Sequence, residues 1–175
     1  STHATFVPET VIFDIPFLFS GYDSEKIESV LTDSKFRDLY NQANEDGGLV
    51  CLMLRAGTDS MNLTPNKPVT SMEDLKGLKI RTMENQAQLD SFSAFGANPL
   101  PMAYGELYTA LQQNIIDGAE AANTNYYSKK FYEAAPNWAM VGWTNDLGIC
   151  VIGKEFYESL SEEHRQIVDE CTREM

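Results

Sequence analysis

Positive charge is scarce in this sequence. Its 175 residues carry 13 Lys+Arg against 26 Asp+Glu, a formal charge of −13. Such a balance repels phosphate backbones and anionic bilayers and excludes nucleic acid as a partner. Long apolar runs are missing as well: none approaches the ~20 residues that a membrane span requires, so no direct membrane insertion is expected. Ser1-Thr2-His3 lacks the charged and apolar regions of a signal peptide. Either a leader has been removed or the sequence starts inside a longer protein. Cysteine is rare: Cys51, Cys150 and Cys171 are too few and too widely spaced for a disulfide framework or a clustered metal site. Their odd number leaves at least one unpaired, while Cys51 and Cys150, both in strand-like runs, are free to pair or to stay as buried thiols.

Catalytic signatures are also absent. There is no G-x-S-x-G elbow, G-x-G-x-x-G, P-loop or H-E-x-x-H. The imidazoles are His3, near the chain start, and His164, in the first turn of a charged helix. Neither is placed as a base. Asp117 and Glu120 flank a turn and read as a helix end. With no nucleophile–base arrangement, a carboxylate-dependent hydrolase is set aside. No enzyme, catalytic residue, metal or cofactor is expected.

What is present is a core and an alternating pattern. At 43% hydrophobic content, the chain can fill one domain or one lobe of a larger protein. Val11 to Phe19, broken by Pro16, reads as a buried strand or extended segment. Ser24–Leu31 and Phe36–Ala43 read as helices, the second presenting Phe36, Leu39, Tyr40 and Ala43 on one face and stopping at Gly47-Gly48. Leu49–Leu54 follows as a buried strand, an α/β signature. Thr70 and Ser71 with Glu73 and Asp74 form a capping-box pattern, and a strand runs to Thr82. Leu89, Phe92 and Phe95 mark a helix ending at Gly96, and Asn98–Pro101 is a rigid connector. Leu107, Leu111 and Ile115 mark another helix, stopped by Gly118. Beyond it come a polar helix with Tyr126, Tyr127, Lys130 and Phe131, strand-like runs Trp138–Trp143 and Leu147–Ile152, and a helix capped by Ser161.

Arg81 is the most informative residue. It ends the strand Leu78-Lys79-Ile80, and no other Lys or Arg occurs before Lys129. Ligands of open α/β sheets bind at the carboxyl ends of strands, and a guanidinium fork suits a carboxylate. An internal salt bridge to Glu84, Asp90 or Glu106 is the competing use. Tyr104 and Tyr108, at helical spacing, suit either a core or a ligand shelf.

Several ordered stretches carry a resemblance. They are Asp74-Leu-Lys-Gly-Leu-Lys-Ile-Arg81, Phe95-Gly-Ala-Asn-Pro-Leu-Pro-Met-Ala-Tyr-Gly-Glu-Leu-Tyr108, Ala110-Leu-Gln-Gln and Ile116-Asp-Gly-Ala-Glu120, flanked by Phe13–Phe19 and Lys130–Glu133. Together they resemble the DctP-type solute receptors of tripartite ATP-independent periplasmic (TRAP) transporters. The resemblance implies a two-lobed α/β periplasmic-binding-protein fold, class II-like. Such a receptor closes around a small organic acid and hands it to permease subunits driven by an ion gradient. It also implies a periplasmic location, or a lipoprotein tether on the extracellular face. This chain would hold mostly the second lobe with hinge segments, as a fragment: 1–45 first-lobe remnant and crossing helix, 46–122 second lobe, 123–175 return crossing, strands and the start of a long helix. Arg81 matches the family's carboxylate clamp, and Tyr104 matches its ring-stacking aromatic. Asn85 and Asn123 are expected to read polar groups of the ligand. Met61 stands where many relatives carry a second arginine, and Ala121 where an asparagine is common. Those departures tilt the ligand toward sugar acids or monocarboxylates. Trp143 has a flat face for a sugar ring, with a core role as the alternative. A sensor domain of a bacterial signalling receptor, built on the same fold, is the alternative function.

Overall fold

The computed structural model describes residues 2–64 and 67–174. The chain forms two compact units, one comprising Ser1–Thr2, Val11–Ser20 and Thr58–Asp146, the other His3–Thr10, Gly21–Gly57 and Leu147–Met175. Residues 123–146, expected to begin a return crossing, thus share a unit with 58–122, and the chain passes between units inside two strands.

The first unit is a sheet with a core on each face. Its strands are β1 (Leu49–Thr64), β2 (Lys79–Thr82), β3 (Asn98–Pro101), β4 (Gly118–Ala122) and β5 (Asn137–Ala139), in the order β3-β2-β4-β1-β5. β2 runs parallel to β3 and β4, while β1 is antiparallel to β4 and β5. Side chains alternate across the pleat. Ile80 enters a cluster with Phe92, Leu75, Ala97 and Trp143. Ala119 and Ala121 enter the other, with Leu107, Leu111, Ile116 and Phe131. The helices that supply these layers are α3 (Gln86–Ala94) and α4 (Leu107–Gln112).

Several expectations are corrected here. Asn98–Pro101 is a strand, and its two prolines are tolerated because β3 lies at the sheet edge. Gly118 does not merely stop a helix; it opens β4, a strand buried along its length. α4 ends earlier, at Gln112, because Asn114 adopts a left-handed φ of 55°, and Ile115 is left 49% exposed. The opening apolar run forms no strand: Pro8–Asp14 is a 3-10 helix followed by turns, and Val11, Ile12, Ile15 and Phe17 are exposed. Pro16 and a positive φ at Phe17 keep that segment from joining a ladder. The polar helix breaks in two, α5 (Asn123–Ser128) and a 3-10 turn at Phe131–Glu133, hinged on a left-handed Lys130. Between Leu75 and the sheet, Ser71 and Asp74 form the expected capping box.

The second unit holds α1 (Ser24–Leu31), α2 (Ser34–Asp46), part of β1, most of β6 (Asn145–Gly153), α6 (Lys154–Ser159) and α7 (Glu162–Arg173). Asp23, Asp33 and Ser161 cap α1, α2 and α7 with side-chain oxygens. On α2 the buried residues are Tyr40 and Asn44, and Leu39 is 74% exposed. The helix is turned so that a polar network, not Leu39, faces inward: Asn44 sends its amide nitrogen to the Tyr40 carbonyl and its oxygen to His3 Nε2, each at 2.8 Å. Burial pushes the Tyr40 hydroxyl above its ordinary pKa. Cys51 and Cys150 stand on the paired strands β1 and β6, both half-buried and unbridged. No helix among the described residues is long and apolar enough to cross a membrane.

Candidate functional site

The site is built on the carboxyl ends of β2 and β4. The register places Arg81 beside Leu100 of β3 and Ala119 of β4. Small residues on β4 leave room for the guanidinium to lie against the sheet, and Arg81 is only 2% exposed. Its Nε donates to the Met102 carbonyl at 2.9 Å, and its Nη1 lies 3.4 Å from Glu120 Oε1. The Tyr104 ring covers it, with the guanidinium carbon 5.7 Å from the ring centroid. Tyr104 in turn meets Phe131 edge to face at 5.9 Å and keeps 39% of its surface exposed. A guanidinium carries five N–H donors in a fixed plane. Two of them fix its orientation here, and the others remain to meet a planar acceptor.

The guanidinium is paired with a carboxylate in a buried setting. Burial lowers the Arg81 pKa, while Glu120 and Tyr104 act in the opposite direction. An arginine stays charged through such shifts. Burial raises the Tyr104 hydroxyl, so it stays neutral and offers a hydrogen bond. A nearby depression of roughly 320 Å³ is lined by Met102, Gly105, Glu106, Thr109, Ala110 and Ile115. Its one charged wall is Glu106, which would repel a carboxylate. Among the described residues no group of three His, Cys, Asp or Glu is placed to hold a metal.

The ionic partner of Arg81 is Glu120, not Glu84, Asp90 or Glu106. Glu120 is a strand residue, 4% exposed, and not half of a helix end with Asp117, whose carboxylate accepts from the Lys79 amide at 2.9 Å. One legible signal pointed there: a single charge inside the small-residue run Gly118-Ala-Glu-Ala-Ala122. Asn85 is otherwise engaged. Its side-chain oxygen caps α3 at Gln88 and its amide nitrogen donates to Asp14 at 2.8 Å, so it anchors a helix. Trp143 is 1% exposed and packs edge-on against Phe92 at 5.0 Å, which leaves no face for a sugar ring. Asn123 opens α5 directly after β4 and is exposed.

Residues 1–175 match the family of bacterial extracellular solute-binding proteins, family 7, DctP. The chain belongs to that family. Among relatives, it is 35% identical over 164 residues to the ectoine/5-hydroxyectoine-binding periplasmic protein UehA of Ruegeria pomeroyi, covering 93% of this chain and 48% of that protein. A Bradyrhizobium TRAP periplasmic solute binding protein in complex with galacturonate superposes with a TM-score of 0.88 at 34% identity, covering 99% of this chain and 57% of that one. A Polaromonas counterpart bound to D-erythronate gives a TM-score of 0.86 at 30% identity, covering 98% and 56%. The DctP-family chain therefore spans about half the length of the curated relatives it matches. Its mixed α/β structure covers roughly half of the two-lobed fold of the TRAP periplasmic binding proteins.

The register adds one relation invisible in the linear sequence of this DctP-family chain. Met61 and Ala121, expected to stand where relatives carry a second arginine and an asparagine, are Cα partners across β1 and β4. The Met61 side chain lies outside the described residues. Ala121 is 4% exposed and packed in the core, so it supplies no group to a ligand.

Proposed function

We propose that this protein is an extracytoplasmic receptor of a TRAP transporter, acting in the periplasm, that captures a small organic acid and delivers it to a membrane permease. The carrying observation is the buried Arg81 guanidinium, aimed by Met102 and Glu120 beneath the half-open ring of Tyr104. A ligand carboxylate meets the remaining guanidinium donors, and its body lies against Tyr104. Binding of this kind is reversible capture. Asn123, exposed at the start of α5 directly after β4, reads a further polar group of the ligand. The relatives named for galacturonate and D-erythronate support a sugar acid as the ligand class. A single arginine clamp, with Met61 and Ala121 in place of a second clamp, supports one carboxylate in preference to two.

The test is a thermal-stability titration of the full-length protein against a panel of sugar acids, monocarboxylates and dicarboxylates. A ligand that binds only the folded state stabilises it by about 2.7 kcal/mol at a hundred times its dissociation constant. A sugar acid is expected to raise the midpoint, and Arg81→Ala to abolish the rise. No shift with any acid, or full affinity in Arg81→Ala, refutes the reading.

A further inference from the structure

Thr82 follows Arg81 at the end of β2 and is fully buried, yet its hydroxyl makes no bond within the protein. Trp143, 1% exposed, is in the same position. Its backbone carbonyl accepts from the Phe17 amide at 2.7 Å, but its indole Nε1 has no acceptor. Among the described residues, Thr82 Oγ1 and Trp143 Nε1 are the two buried side-chain atoms of this kind. A buried polar atom left bare costs stability, and folded proteins satisfy nearly all of theirs, with ordered water where side chains supply nothing.

The sheet brings both residues to one corner. Side chains alternate along a strand, so Thr82 shares the face of Ile80, whose cluster contains Trp143. On β4, Ala119 and Ala121 belong to the opposite core, which turns Glu120, between them, toward the face of Thr82. The parallel register pairs Ile80 with Gly118 and Arg81 with Ala119, and its next step sets Thr82 level with Glu120. Over the end of β2 lies the first turn of α3, where the Gln88 side chain accepts from the Met83 amide at 3.1 Å. A hydroxyl that donates and accepts, an indole N–H that donates and a carboxylate that accepts thus border one buried corner of the sheet rim. The same carboxylate meets Arg81 Nη1 at 3.4 Å. That separation is long for a charge-assisted pair, ordinarily about 2.7–2.9 Å, as expected of a carboxylate shared with another donor.

We propose that Thr82, Trp143 and Glu120 bind one internal water, and that this hydration site positions Arg81 for a ligand carboxylate. The chemistry of the corner selects the occupant. Glu120 repels an anion, and the indole N–H and Arg81 repel a cation, which leaves a small neutral group that both donates and accepts. The indole N–H donates to the water, the water donates to Glu120, and the Thr82 hydroxyl makes the third bond, the number usual for a buried water. Resting on the receptor reading, these three residues act through Arg81 and touch no ligand. Held by the water, Glu120 aims the guanidinium without drawing it into full contact, and donors of the fork stay turned to the ligand side.

The test compares the full-length protein with Thr82→Val, which keeps the shape and deletes the hydroxyl, and with Thr82→Ser, which restores it. Crystals of the wild type should show one water within hydrogen-bond distance of Thr82 Oγ1, Trp143 Nε1 and a Glu120 oxygen, and crystals of Thr82→Val should lack it. The valine variant should unfold at lower urea, shift the nuclear magnetic resonance signal of the Arg81 Nε–H and bind the probe D-galacturonate about tenfold more weakly in calorimetry, the scale of one hydrogen bond to a charged group. Serine should return all three readings toward the wild type. Absence of density at that point in the wild type overturns the proposal. So does a higher urea midpoint in Thr82→Val, since exchanging a hydroxyl without any partner for a methyl group stabilises. A wild-type Arg81 signal and wild-type affinity in Thr82→Val reduce the water to a structural one and overturn the positioning role. A wild type that gives no heat with D-galacturonate counts against the sugar-acid reading alone, and the density, the midpoint and the Arg81 signal then decide the hydration site without it.

Discussion

Replacing Arg81 with methionine keeps a long apolar stem and deletes the fork. Two groups then lose a partner in the interior. Glu120, 4% exposed, is left without the cation 3.4 Å away, and the Met102 carbonyl loses the 2.9 Å bond from Nε. Removing one member of a buried pair costs about 3–5 kcal/mol. The long 3.4 Å separation argues for the lower end of that range. An unsatisfied carbonyl adds about 1 kcal/mol, for about 4 kcal/mol in all. The double variant Arg81→Met/Glu120→Met removes the carboxylate of the pair as well, and exchanging both partners of a buried pair for apolar groups is close to neutral. A coupling of about 2–3 kcal/mol should therefore separate the double variant from the sum of the singles. Both tryptophans, Trp138 and Trp143, lie in the same unit as Arg81, so their fluorescence in urea reports on the unit that holds the pair. The midpoint should fall in the single variant at constant slope and recover in the double. If Arg81→Met unfolds at the wild-type urea concentration, or if the double variant is no more stable than the single, the pair does not support the site.

Other outcomes follow from the same geometry. Thr70 and Ser71 donate four hydrogen bonds to Asp74 and hold its carboxyl down at about 2. Its folded pKa lies below the unfolded value of about 3.9, so the stability it contributes is present above that pH and is lost as pH falls through about 2. Carbon-13 titration of Asp74 should find that midpoint, and a value near the unfolded one would contradict the capping box. Asn85→Ala should destabilise by about 1 kcal/mol, the cost of a lost N-cap, and leave solute affinity intact; a tenfold loss of affinity would return Asn85 to the ligand site. Phe92, fully buried against Trp143, should cost about 3–5 kcal/mol as Phe92→Ala, again read by tryptophan fluorescence. Tyr104→Phe should keep most of the affinity and Tyr104→Ala lose about 1–2 kcal/mol of it by calorimetry, if the ring is a shelf for the ligand and a cover for Arg81.

Local chemistry was legible along the chain wherever its cause is local. Ser71 and Ser161 lie where helices start, and glycines at 47, 48 and 96 lie where they stop. Caps and turns act within a few residues, so their signals sit beside their effects. Arg81 could be singled out for a similar reason: a cation near a strand end, with no further Lys or Arg until Lys129, needs an anion somewhere. The identity of that anion was not readable. Glu120 lies 39 residues away and reaches Arg81 because β2 and β4 are neighbours in the sheet. β4 itself was hidden, since Gly118-Ala-Glu-Ala-Ala122 has no β-branched residue and is a strand only because β2 and β1 supply its ladder bonds from both sides. The same holds for the polar half of β1 beyond Leu54 and for the proline-bearing edge strand β3. Burial sorted the remaining candidates. Trp143 and Asn85 have side chains suited to a ligand, yet one fills the core against Phe92 and the other is committed to a helix end and Asp14. Residue type limits what a side chain is able to do, and its neighbours in space, brought together by pairings dozens of residues apart, settle which of those things it does.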